Sequence, residues 1–251
     1  MSICNICDSS QTKKLISKND YNVFECINCG LAFTYPQPES LADQYDESYF
    51  SLYKRRRKFR LKRANTRLKT IELLQKPGKV LDIGCSLGYF LEAAKDRGWE
   101  VSGIEISGYA SSEAKKAGFD VIGGVLESDT YNDQSFDCVT MWDVLEHVPD
   151  PTSHMLNVNK VLKPGGLVVI GTPDLSHVMF KIKKENWRHL KPWEHIYYFR
   201  DSSIKRLFEK TGFTLVNPPS QGIPGLKSLL SRTIKPNDVR IYYGVKNAVE
   251  I

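Results

Sequence analysis

Two kinds of apolar spacing alternate along the chain from residue 79 to residue 216. KVLDIG (79–84) is a continuous apolar run ending at Gly, and EVSGIEI (100–106), FDVIGG (119–124), FDCVTMWD (136–143) and LVVIGTP (167–173) read as further strands. Runs of this kind suit strands buried on both faces, as in a parallel sheet. Between them, in segments 89–98, 109–117, 151–166 and 201–213, apolar residues return every three or four positions, the helical period. Gly98, Gly118, the Pro164-Gly165-Gly166 stop and Gly212 close these helices. FTLV (213–216) and VRIYYGV (239–245) read as two late strands. Strand–helix repetition buries both faces of a sheet. It predicts an α/β fold with a doubly wound, seven-stranded, mainly parallel sheet.

The pattern changes upstream of residue 77. Leu61, Ala64, Leu68, Ile71 and Leu74 form one apolar stripe on a predicted helix over 54–75, ended by Pro77-Gly78. Residues 39–53 read as a polar, aromatic connector with a short helix. Two short strands, YNVFEC and LAFTY, precede Pro36. The expected division is a small ribbon (1–35), a connector with a basic helix (36–76) and the sheet domain (77–251).

Composition adds little until charge is localised. Hydrophobic residues make up 41% and charged residues 25%, a globular balance that excludes a wholly disordered chain. No apolar run reaches membrane-spanning length, and the first residues lack the charged and apolar regions of an export signal. A cytoplasmic protein is expected. Eight of the 35 Lys and Arg fall in residues 54–63 (KRRRKFRLKR), and the remaining 27 meet 29 acidic residues. Only that segment argues for an anionic partner such as a nucleotide-sugar, a lipid pyrophosphate or RNA. A solvated helix face explains it as well.

Cys4, Cys7, Cys26 and Cys29 read C-x2-C, eighteen residues, C-x2-C. This is zinc-ribbon spacing, since each knuckle turns two thiolates toward one ion and four close a tetrahedron. Gly30 eases the second turn. A closed four-sulfur site is structural rather than catalytic. Two disulfides or four free thiols are the alternatives, and disulfides fit poorly with a chain lacking an export signal. The ribbon is expected to have a core separate from that of the sheet. Cys85 and Cys138 sit in apolar stretches and read as small core residues.

Glycines in Gly84-Cys85-Ser86-Leu87-Gly88 follow the first strand of the sheet, and Glu105 ends the second. Such a turn lets a ligand approach the backbone, and an acid about twenty residues on accepts from ribose hydroxyls. Asp82 beside the loop would repel a pyrophosphate but suits a cation or amine. The pattern resembles motif I of class I S-adenosylmethionine (SAM)-dependent methyltransferases. That resemblance runs from 79 to about 213 through VLDIGCSLGYFL, GIEIS, FDCVTMWDVLEHVPDP and LKPGGLVVIGTPD. Ser86 stands where the family usually has its middle glycine. The resemblance implies that Asp82, Gly84, Cys85, Gly88 and Tyr89 surround the methionine moiety. It implies that Glu105 holds the ribose and Ile106 the adenine, with Val125 and Leu126 at the adenine edge. Met141, Trp142 and Asp143 would face the sulfonium.

Asp143, Glu146 and His147 lie at i, i+3 and i+4, so a helical turn there would aim all three one way. His195 follows in WRHLKPWEHIYYF. The D/E-x-x-E-H pattern with a later histidine resembles ubiquinone-pathway O-methyltransferases and small-RNA 2′-O-methyltransferases. In those, the resemblance implies catalytic roles for these four residues and a second divalent metal on them. His147 as a metal-free general base is the other reading. Trp187, Trp193, Tyr197 and Tyr198 would stack on an acceptor ring or pack a lid. His154, His177 and His189 show no partner pattern. The whole layout, with its Tyr45-to-Phe50 connector motif, also resembles small methyltransferases of bacterial surface-polysaccharide and natural-product pathways. The expected activity is methyl transfer to a hydroxyl of a small acceptor, a sugar or nucleotide-linked sugar. An RNA 2′-O-methyltransferase and a noncatalytic SAM-binding protein are the alternatives.

Overall fold

The computed structural model describes residues 3–38, 47–219 and 238–248. Part of the expected connector, including Tyr45, lies outside the described residues. Seven strands form the main sheet: β4 (Lys79–Ile83), β5 (Glu100–Glu105), β6 (Asp120–Gly123), β7 (Phe136–Trp142), β8 (Leu162–Pro173), β10 (Phe213–Val216) and β11 (Val239–Lys246). Their order is β10-β11-β8-β7-β4-β5-β6. Pairs among β4 to β8 are parallel, and β11 and β10 join antiparallel at one edge. The predicted fold class is borne out. The order reverses at β4, so the carboxyl ends of β4 and β7 open a crevice there.

Helices α2 (Arg57–Ile71) and α3 (Tyr89–Lys95) cover one face. Ala64, Leu68 and Ile71 pack with Val80, Phe90, Cys138 and Val169 in a single cluster. The helices α5 (Pro151–Val161) and α7 (Asp201–Lys210) cover the other face. α4 (Gly108–Lys116) packs beside β5 and β6. The basic helix is not one unit. The chain turns at Arg56 between α1 (Glu47–Arg55) and α2. This frees Phe50 of α1 to stack on Tyr109 of α4 while α2 lies along α3. α5 stops at Val161, five residues before its expected end at Gly166, because Leu162 is already extended and pairs with Phe136. The expected helix end over 162–166 is therefore strand.

The N-terminal sheet has the order β1-β2-β3-β9. It holds β1 (Thr12–Lys18), β2 (Tyr21–Cys26), β3 (Ala32–Tyr35) and the distant β9 (Tyr197–Tyr198). β1 and β9 were not expected. The pattern in TKKLISK is weakly apolar, and β9 becomes a strand only because β3 offers an edge. Separate cores are not found. Ile6, Leu31 and Phe33 of the ribbon belong to the same buried cluster as Val139, Met155 and Phe208. Polar contacts reinforce the seam. The Asn5 amide donates to Asp150 at 2.9 Å, the Ser202 hydroxyl to the Cys29 carbonyl at 2.8 Å, and Arg200 Nε to Glu25 at 2.7 Å. Among the described residues, no helix is long and apolar enough to cross a membrane.

Candidate active site and cysteine cluster

The four ribbon sulfurs lie within 4.8 Å of one another. Cys4 and Cys29 are 3.6 Å apart, Cys7 and Cys26 3.5 Å. Four sulfurs at about 2.3 Å from a central zinc sit close to this spacing. A disulfide needs about 2.05 Å, so the cluster is four thiols placed to hold one structural zinc. The hydrogen bond from Cys29 brings the Cys4 thiol down to about 5. Gly30 turns at φ 78°, as the knuckle requires.

The glycine loop follows β4. Gly84 and Gly88 take φ of 73° and 80°, and Ser86 takes 53°. A side chain on Gly84 would collide with Val144, and one on Gly88 would meet Phe119 at 2.8 Å. The serine thus adopts the left-handed conformation that a glycine adopts without strain. Glu105, buried at the end of β5, accepts from the Ser86 amide at 2.7 Å and the Ser107 amide at 2.8 Å. Burial raises its carboxyl, and those amides oppose the shift. Glu105 therefore shapes the loop, a role that spacing did not show.

Asp82 is fully buried and accepts from the Thr140 hydroxyl at 2.6 Å. Desolvation pushes its carboxyl up to about 7, opposed by that hydroxyl and by the Arg67 charge. It lines a cavity with Gly84, Cys85, Ser86, Tyr89 and Trp142. Asp143 closes the same cavity, in a left-handed turn at φ 58° with its amide on the Gly171 carbonyl at 2.7 Å.

Some expected contacts fail on side-chain direction. Met141 points into the core, fully buried beside Leu81 and Ile170, because alternate residues of β7 face opposite sides. Leu126 is likewise a core side chain. The Cys85 side chain packs with Leu91 and Val121, and burial raises its thiol, so only its backbone can line the cavity. Ile106 and Val125 are exposed at the carboxyl edge, 46% and 52%, where a planar base could cover them.

The acidic–histidine set is gathered in part. Glu146, His147 and His195 place ligand atoms within 4.8 Å of one another, without Asp143. β7 does not run into a continuous helix. It breaks at Asp143, where φ is 58°, and a 3-10 turn (Leu145–His147) then carries Glu146 and His147. Glu146 Oε2 accepts from the Thr172 hydroxyl at 2.9 Å, and Oε1 has no partner. Burial, with Asp143 nearby, pushes the Glu146 carboxyl up to about 8. His147 Nδ1 lies 2.8 Å from the Glu194 carbonyl. A carbonyl only accepts, so Nδ1 carries the proton and Nε2 a free lone pair. His195 gives an N–H to the His189 carbonyl. Its Nδ1 is buried without a partner. Burial lowers both imidazoles, His195 the more strongly, so both are neutral near pH 7.

The segment carrying His195 is held from two sides. The Ile196 amide donates to the Glu146 carbonyl at 2.9 Å. Thr34 of β3 donates its hydroxyl to the His195 carbonyl at 2.8 Å and its amide to Ile196 at 2.9 Å. Asp238 accepts from Trp187 at 2.9 Å and from Arg188, bracing the start of the same loop. Trp187, Tyr197 and Tyr198 are buried packing residues, whereas Trp193 is half-buried with Lys18 over its ring. Sequence reasoning missed Thr34, Thr140 and Asp238, whose side-chain partners lie 161, 58 and 49 to 51 positions away. It also weighed the basic helix as a solvated face. In the structure Arg60, Arg63 and Arg67 line the cavity beside the glycine loop.

A family description, methyltransferase domain, matches residues 53–217, more than half of the chain. The chain is similar to a ubiquinone biosynthesis O-methyltransferase of Idiomarina loihiensis, 37% identical over 101 residues, covering 38% of this chain and 42% of that protein. Its counterpart in Azoarcus sp. strain BH72 is 30% identical over 152 residues, covering 55% and 65%. The matched region thus spans less than two thirds of either relative. Among solved structures, a SAM-dependent methyltransferase from Archaeoglobus fulgidus superposes with a TM-score of 0.59 at 20% identity, covering 79% of this chain and 100% of that one. With the glycine loop, the acid at the end of β5 and the sheet order all in place, the chain belongs to the class I SAM-dependent methyltransferase family.

Proposed function

We propose that the chain methylates a hydroxyl oxygen of a small acceptor, with SAM in the crevice between Asp82, the glycine loop and Glu105. The buried Glu146–His147–His195 cluster, with unpartnered acceptor atoms on Glu146 and His195, carries this reading. A hydroxyl is a poor nucleophile until its proton is removed. SAM supplies a methyl group already activated on a sulfonium. His147 is neutral, its Nε2 lone pair is free, and its ring is fixed by the Glu194 carbonyl. It accepts the hydroxyl proton as the new O–C bond forms. His195, with its ring centroid 4.8 Å from that of His147, and Glu146 hold the acceptor oxygen in line. Asp143 faces the cofactor side of the same turn.

The donor set favours a second version of this site. Two imidazole lone pairs and a carboxylate oxygen without partners suit a divalent cation. Held there, it would lower the pKa of a bound hydroxyl. In either version the acceptor is a sugar, a nucleotide-linked sugar or a phenolic hydroxyl, the last in keeping with the O-methyltransferase names of the relatives. The four ribbon thiols, rather than disulfides, suit a cytoplasmic protein.

Methyl-labelled SAM offered with sugars, nucleotide-sugars, phenols and single-stranded RNA tests the reading. His147→Ala and His195→Ala should each lower turnover by about 10²–10⁴-fold while keeping SAM affinity. Near-full activity in both variants refutes the site assignment. Full activity after stripping the acceptor site of divalent ions, with ribbon zinc retained, refutes the metal version alone.

A further inference from the structure

Both imidazoles of the buried cluster owe their tautomer to one loop. The Glu194 carbonyl accepts from His147 Nδ1, and the His189 carbonyl accepts an N–H of His195. His195 Nδ1 is the ring atom without a partner, so Nε2 carries the proton and Nδ1 the lone pair. The His189 carbonyl also accepts from the Lys191 amide at 3.0 Å. The ribbon holds the far end of this loop through Thr34, and its middle through Lys18, whose ammonium donates to the Leu190 carbonyl at 2.8 Å. One carboxylate holds the start. Asp238, 6% exposed, takes the side chains of three successive residues: Trp187 Nε1 at 2.9 Å, Arg188 Nε at 3.0 Å together with Arg188 Nη2, and His189 Nε2 at 3.3 Å. Burial raises its carboxyl, but the Arg188 bonds and its other partners outweigh this and bring it down to about 2, so it is an anion at neutral pH.

Asp238 is itself fixed to the main sheet. Its carbonyl accepts from the Asp174 amide at 2.9 Å, and the next residue, Val239, starts β11 opposite Pro173 at the carboxyl end of β8. One carboxylate therefore ties the sheet edge to the residue whose carbonyl sets the His195 tautomer. Hydrogen bonds to a charged group are about twice as strong as neutral ones. Three side chains gripped in series fix a backbone direction, here that of the His189 carbonyl. We infer that Asp238 is a positioning residue for His195: by gripping residues 187–189 it aims the His189 carbonyl, which keeps the proton on Nε2 and leaves Nδ1 free for the acceptor. Asp238 touches no reacting atom. The inference rests on the proposed role of His195 in methyl transfer.

Ring-proton NMR on the zinc-loaded full chain with isotope-labelled histidine tests this without any acceptor. The wild type should show the His195 proton on Nε2, protected from exchange with water, and the His147 proton on Nδ1. Asp238→Asn keeps one acceptor for Trp187 but removes the charge that Arg188 and His189 meet. It should speed exchange of the His195 proton about 10- to 100-fold, the range for weakened bonds to a charged group. The His147 proton, on the part of the loop that Thr34 holds, should stay within about threefold. Arg188→Gln, at a side chain 65% exposed, removes the guanidinium bonds without threatening the fold. It should move the His195 proton the same way by about threefold or more, and it decides the matter if Asp238→Asn does not fold. With an acceptor in hand, Asp238→Asn should lower kcat about tenfold, leave KM for SAM unchanged, and add nothing in the His195→Ala background. A His195 proton found on Nδ1, or exchange unchanged in the variants, overturns the inference. So does equal acceleration at both histidines, which marks general loosening, and so does an additive loss of turnover. Near-full turnover of His195→Ala with the proton effect intact overturns the reading of the site instead, and leaves the tie between Asp238 and His195 standing.

Discussion

Thr34 links the zinc ribbon to the proposed catalytic histidine, and Thr34→Val isolates that link. Valine keeps the shape and β-branching that suit β3, and it keeps the backbone amide that donates to Ile196. It removes only the hydroxyl that donates to the His195 carbonyl at 2.8 Å. Thr34 is 2% exposed, so water cannot replace that donor. Leaving a buried acceptor unmet costs about 1–3 kcal/mol. The cost falls on the stretch between Glu194 and Tyr198, which holds His147 through the Glu194 carbonyl and carries His195 itself. If that stretch opens in proportion, about 1.5 kcal/mol corresponds to roughly tenfold. Turnover should therefore fall several-fold to tenfold, amide exchange across 194–198 should quicken similarly, and SAM affinity and zinc content should stay unchanged. Hydrogen exchange by mass spectrometry needs no acceptor, and labelled-methyl transfer gives kcat once one is in hand. Unchanged exchange in 194–198 with unchanged kcat would refute the claim that the ribbon positions the site. A fall in SAM affinity of the same size would show a global rather than local effect.

Glu105→Gln should weaken SAM by about 10- to 100-fold, because the amide replaces an oxygen that accepts from the Ser86 or Ser107 amide and so disturbs the loop as well as the ribose contact. Calorimetry showing less than a twofold change would count against the assignment. Burial holds Asp82 near 7 without ligand. A cation bound beside it lowers that value, so binding favours the ionised form. SAM affinity should thus be full above pH 7 and fall below it, by at most tenfold per pH unit. A flat profile from pH 8 to 5.5 would reject the contact. Zinc removal by a chelator should lower the melting temperature of the whole chain, since ribbon and sheet share one core. A differential scan in which the ribbon melts alone, leaving the main transition unmoved, would contradict the shared core.

The sequence by itself determined the sheet and the loop that binds within it. Continuous apolar runs separated by amphipathic segments admit few packings other than a doubly wound sheet, and β4 to β8 formed where those runs lie. Gly84 and Gly88 were legible because their positive φ demands that residue type. The four cysteines were legible because ligand spacing is a local property of each knuckle. Tertiary structure decided what depends on direction or on distant partners. Period-two alternation along β7 sent Met141 into the core and left Trp142 at the crevice. The break at Asp143 separated it from Glu146 and His147, which an unbroken helical turn would have kept together. β9 exists only because β3 presents an unpaired edge, and through that pairing the ribbon reaches His195. Whether a basic helix faces solvent or a cavity depends on what packs against it. α3 and the β4 loop together turned Arg60, Arg63 and Arg67 inward, a choice that composition and charge count cannot make because they carry no information about the partner surface.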